Sequence, residues 1–129
     1  MTRYLTADEI LAIHSLVVEA TGGSHGLRDV GLLASIVMRP QAGFGGKDLH
    51  KDVFVKAAVF AEAITNYHVF IDGNKRTAFV ATARFLAING HHITASNAEV
   101  EETMLAVAKK SMNERGLALW LKKNSIRRL

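Results

Sequence analysis

The chain has 129 residues, a formal net charge of +4, 49% hydrophobic residues, one proline and no cysteine. That length and composition fit one globular domain with a single core, and exclude a disordered chain, a disulfide scaffold and any Cys-based zinc site. The opening M-T-R-Y-L-T-A-D-E-I lacks the continuous apolar segment of a signal peptide, and no apolar run spans a bilayer without a charge, so a cytoplasmic protein without a membrane role is expected.

Residues 6–20 read as a first helix. Thr6 can cap it with Glu9 completing a capping box, and Ile10, Ile13, Leu16, Val17 and Ala20 form an apolar stripe. His14 and Glu19 are expected on its surface. Residues 21–27, T-G-G-S-H-G-L, lack phosphate-loop spacing and read as a connector. A shorter helix runs from about Asp29 to Met38, and Pro40 closes it. Residues 41–51 make the longest loop, readable as a flap over a ligand or as plain surface.

Asp52 can cap a third helix over roughly 53–66. The fourth begins near Asn74 and stops at Asn89-Gly90. Residues 53–65 and 78–88 are too apolar all round for surface helices, so both are expected to be central. Ser96 and Glu99 form another capping box and open a fifth helix, and a last helix covers about 114–124. Residues 91–94 are at most briefly extended, and no convincing strand appears. The expected fold is all-α: one domain over 1–129, about six helices, with a polar loop between two central ones.

Some of the positive charge lies at the C-terminus, in Lys122, Lys123, Arg127 and Arg128. A solvated helix end, where cations favour the dipole, is the simpler account of it. A non-catalytic nucleic-acid-binding module is permitted by the charge, but no helix carries several base-reading side chains.

The polar loop carries the chemistry. Residues 66–79 read N-Y-H-V-F-I-D-G-N-K-R-T-A-F. A loop that turns into a helix leaves free N–H groups and a dipole that favour an anion. Gly73 allows close approach, Asn74 can donate while capping the helix, and Lys75 and Arg76 put cations where only a bound anion makes them favourable. Asp72 makes sense if Mg²⁺ sits between it and phosphates. His68, four residues earlier, can take a proton from an attacking hydroxyl, and Phe70 is expected to anchor the turn. The plain alternative is a tight polar turn with its cations on solvent. The residues together describe transfer of a phosphate-containing group from a nucleotide to a hydroxyl.

H-V-F-I-D-G-N-K-R resembles the signature of the Fic/Doc superfamily, H-x-F-x-[D/E]-G-N-[G/K]-R, and K-R-T-A and residues 26–40 resemble its Doc (death on curing) toxin branch. The resemblance implies an all-α Fic fold and an ATP-using transferase. It makes His68 the general base, Asp72 the Mg²⁺ ligand, Gly73, Asn74 and Lys75 the anion hole, and Arg76 a phosphate contact. Three positions depart from the adenylyl-transferring pattern. Val69 replaces the Pro after the His, Lys75 replaces the second Gly, and Phe79 replaces the final Arg. The last two are Doc-like features. They imply a kinase that transfers the γ-phosphate, with elongation factor Tu modified on a Thr as the target class. The resemblance to the Doc branch also implies a small antitoxin whose C-terminal segment folds onto the toxin. Nucleotidyl transfer on the same fold is the alternative. Ser15 to Glu19 approximates the S/T-x-x-x-E-G/N inhibitory motif but is followed by Ala20, which favours control by a separate antitoxin.

Overall fold

The computed structural model describes residues 1–44, 47–48 and 52–128, without the side chains of Phe44 and Asp48. Its helices are α1 (Ala7–Thr21), α2 (Val30–Met38), α3 (Val53–Tyr67), α4 (Asn74–Ile88), α5 (Asn97–Ala108) and α6 (Glu114–Lys123). A 3₁₀ turn, Arg39–Gln41, follows α2. Six helices around one core give the all-α fold expected.

The helix boundaries follow their caps. Thr6 and Ser96 form the two capping boxes. Asp29 accepts from Leu32 N at 3.0 Å, Asp52 from Phe54 N at 2.7 Å, and Asn113 from Gly116 N at 2.8 Å. Each satisfies an N–H that the first helical turn leaves free.

α3 is the central helix. Ten of its fifteen residues are buried, and it packs chiefly against α4 and α6. Lys56 lies wholly inside, donating to the Tyr4 hydroxyl at 2.6 Å and the Pro40 carbonyl at 3.1 Å. A buried ammonium is tolerable only with such partners. α4 departs from expectation. Thr77, Ala78, Ala81, Thr82, Phe85 and Leu86 bury one face, while Lys75, Arg76, Val80 and Arg84 are exposed. The helix is amphipathic, and its small residues simply hide the period.

Two short antiparallel pairs were not legible as strands. β1 (Gly43–Phe44) pairs with β2 (Lys47–Asp48) inside the long loop, whose residues 45, 46 and 49–51 lie outside the described residues. β3 (His91–Ile93) pairs with β4 (Ser125–Arg127). Arg127 therefore belongs to a strand and not to a helix end, whereas Lys122 and Lys123 do occupy the last turn of α6. Runs of two or three residues are too short to show an alternating pattern. No described helix is long and apolar enough to cross a membrane.

Candidate active site

α3 ends at Tyr67, and His68 takes φ 52°, ψ 51°. This left-handed conformation costs a residue with a Cβ about 1–2 kcal/mol. It turns the chain out of the helix and leaves the His68 side chain exposed. The next two residues go inward, with Val69 0% and Phe70 1% exposed. Phe70 is thus the anchor the pattern implied.

Two sets of bonds hold the loop on that anchor. The Asn74 side chain accepts from Phe70 N at 3.0 Å and donates to Phe70 O at 2.9 Å. Arg28 N donates to Val69 O at 2.7 Å, and Ile71 N to Gly26 O at 3.1 Å, forming a bridge between Leu27 and Phe70. Residues 21–27 are therefore more than a connector, since they form one wall of the loop. Asn74 is also reassigned. The N-cap of α4 is Gly73, in the left-handed region at φ 77°, and Asn74 is the first helical residue. Its amide shapes the loop through Phe70 instead of capping.

Asp72 faces both neighbours. Its carboxylate accepts from Gly73 N at 2.9 Å and from Ser24 N at 3.2 Å. A Cβ built on Gly23 would lie 2.8 Å from Asp72 Oδ2, so Gly23 has to be glycine for the carboxylate to sit there. From below, His14 lies flat on Phe70 with ring centroids 3.8 Å apart, and its Nε2 lies 2.8 Å from the Asp72 carbonyl. A carbonyl only accepts, so Nε2 carries the hydrogen. His14 is 4% exposed, which corrects its expected surface place. The buried face of α1 is Ile10, His14, Val17 and Val18, whereas Leu16 and Ala20 of the expected stripe are exposed. His14 stands four residues after Ile10 and three before Val17, which was the signal in the sequence; polarity alone had suggested solvent.

The first turn of α4 follows directly. Its first backbone bond is Thr77 N to Gly73 O, so the N–H groups of Asn74, Lys75 and Arg76 find no backbone partner within the helix. Lys75 and Arg76 are exposed, and Arg76 reaches Glu101 at 3.7 Å. That pair is well solvated and weak, so Arg76 can be withdrawn at little cost. Phe79 is half-buried against the core.

One end of the loop thus presents an imidazole, and the other a carboxylate, free N–H groups and two cations. The exposed Asp72 carboxylate keeps acceptor capacity beyond its two backbone bonds, which fits Mg²⁺ arriving with phosphates. Among the described residues no three His, Asp or Glu side chains gather for a metal, so a site here would draw its other ligands from phosphate and water. Within residues 41–51, read as a flap or as plain surface, the described part is the β1–β2 pair, and residues 45, 46 and 49–51 lie outside the described residues. A separate recess of about 650 Å³ lies elsewhere, between the N-terminus and β3–β4, lined by Arg3, His91, His92, Arg127 and Arg128 among others. It contains no residue of the loop.

Comparison with known proteins agrees with this geometry. The Fic/DOC family model matches residues 4–86. A Mycolicibacterium smegmatis protein named Toxin Doc is 41% identical over 95 residues, 74% of this chain and 71% of that protein. An Escherichia phage P1 protein named Protein kinase doc is 33% identical over 88 residues, 68% of this chain and 69% of that protein. The chain belongs to the Fic/DOC family, on its Doc branch.

Proposed function

We propose that the chain is the toxin of a toxin–antitoxin pair and acts as a protein kinase. It would move the γ-phosphate of ATP to a Thr hydroxyl of a translation factor, with elongation factor Tu as the leading candidate, and so stop translation. The observation that carries this reading is Lys75 at the head of α4 and Phe79 packed on the core, in an otherwise complete motif. A second Gly and a second Arg would stand there in a nucleotidyl transferase of this fold. The kinase activity named for the phage P1 relative supports the same reading.

In this scheme His68 takes the proton as the hydroxyl oxygen bonds to the γ-phosphorus. The bond from that phosphorus to the β,γ-bridging oxygen breaks, and ADP leaves. The N–H groups of Asn74 and Lys75, with the Lys75 and Arg76 side chains, hold the phosphates in line. Asp72 would hold Mg²⁺, which would offset charge on the phosphates. The antitoxin would lay its C-terminal segment on the toxin and keep the site closed.

The test is purified elongation factor Tu with ATP and Mg²⁺. Phosphothreonine should form with the native protein and be lost in both His68→Ala and Asp72→Ala. A fully active His68→Ala protein would rule the mechanism out.

A further inference from the structure

His68 is the one loop residue whose left-handed backbone has to be imposed by its neighbours. On its C-terminal side the bonds of Val69 and Phe70 do this. On its N-terminal side the chain is the last turn of α3, which ends at Tyr67. A side chain from elsewhere in the fold reaches that turn. Arg39, from the 3₁₀ turn, donates through Nη1 to the Tyr67 hydroxyl at 2.7 Å, with its guanidinium 5.8 Å from the Tyr67 ring centroid. Through Nη2 it donates to Glu114 of α6 at 3.3 Å. Glu62, one turn below Asn66 and bonded to its amide at 3.3 Å, backs the same cluster.

We propose that Arg39 is a positioning residue for His68, acting through Tyr67 to fix the last turn of α3 against the 3₁₀ turn and α6. The proposal rests on the reading of His68 as the general base. A guanidinium suits the role because its planar fork serves two partners at once, a phenol and a carboxylate on different helices. A Lys, with a single nitrogen, cannot span both in the same geometry. Arg39 also immediately precedes Pro40, whose carbonyl is held by the buried Lys56, so the clamp is itself set on the core.

The experiment compares wild type, Arg39→Ala, Arg39→Lys, Tyr67→Phe and the Arg39→Ala/Tyr67→Phe double variant, with His68→Ala as a control. Two quantities are read: kcat and KM for ATP in the transfer assay, and the His68 imidazole cross-peak in a proton–carbon NMR spectrum. A small misplacement of a base costs of the order of tenfold to a hundredfold, so Arg39→Ala should lower kcat by that much and leave KM for ATP within about threefold. Tyr67→Phe should lose about tenfold on the same grounds, and the double variant should be no worse than Arg39→Ala, because both act through one contact. Arg39→Lys should rescue only part. The His68 cross-peak should move in every Arg39 and Tyr67 variant.

An unmoved His68 peak, or losses that multiply in the double variant, would overturn the proposal. If His68→Ala proves fully active, the reading of the base fails, yet the NMR shift still decides whether Arg39 positions His68. Should Arg39→Ala not fold, Tyr67→Phe removes one hydroxyl from an intact core and carries the test alone.

Discussion

His14 and Phe70 lie face to face, 3.8 Å between ring centroids and 8° from parallel. This contact ties the first helix to the centre of the motif loop, and the bond from His14 to the Asp72 carbonyl extends it to the metal-ligand candidate. The loop therefore has a rigid floor beneath its exposed groups. His14→Ala removes the stack and the hydrogen bond, so it should destabilise the protein by about 2–3 kcal/mol. His14→Phe keeps a ring and should lose only about 1 kcal/mol. Urea unfolding of both variants checks the order, and equal stabilities would contradict it.

Gly23 and Asp72 allow a sharper test. A methyl at Gly23 would stand 2.8 Å from Asp72 Oδ2 and must push the carboxylate aside. Gly23→Ala should lower activity at least tenfold and raise the Mg²⁺ concentration needed for half-maximal rate, with a stability change of about 1 kcal/mol or less. A Gly23→Ala protein with native Mg²⁺ dependence would mean that Asp72 does not bind the metal from this position.

His68 holds a conformation that glycine adopts freely. His68→Gly should therefore abolish transfer while raising stability by about 1 kcal/mol. Thermal melts beside the activity assay test this pairing. A less stable His68→Gly protein would show that the imidazole holds the fold as well as the reaction.

Glu114 gives a pH signature. Its hydrogen bond with Glu62 and its partial burial raise its pKa above the ordinary glutamate value of 4.5, against the pull of Arg39. The folded protein thus keeps this proton to higher pH than the unfolded chain does. The resulting stability is full below pH 4.5 and is lost as pH rises through the raised value. Glu114→Gln cannot titrate, so the stability advantage of wild type over the variant should shrink as pH rises from 4 to 7. Melting curves across that range decide it, and an advantage that grows with pH would reverse the assignment.

Most of the helices were legible because a capping side chain opens them, α4 being the exception, since it starts on Gly73 with no side-chain cap. Thr6, Asp29, Asp52 and Ser96 are such caps. The family motif placed the loop between α3 and α4 for the same kind of reason, since a polar run between apolar ones has to be a turn. Three things escaped. His14 was assigned to solvent by its polarity, although it stands at helical spacing from Ile10 and Val17, which are buried with it. The T-G-G-S segment looked like filler because what Gly23 and Ser24 do depends on Asp72, 48 residues beyond Ser24. Arg39 and Tyr67 meet only once the chain has folded. Local patterns reveal caps and faces, whereas contacts across the fold leave no period to read.

The central claim is that Lys75 and Phe79 mark a γ-phosphoryl transferase. The measurement that tests it most directly is incubation of the antitoxin-free protein with a cell extract, Mg²⁺ and ATP labelled at either the α or the γ phosphate. Label entering a protein of elongation factor Tu size from γ-labelled ATP alone is the predicted result. Label entering from the α position would contradict it, making the enzyme a nucleotidyl transferase and the reading of Lys75 wrong.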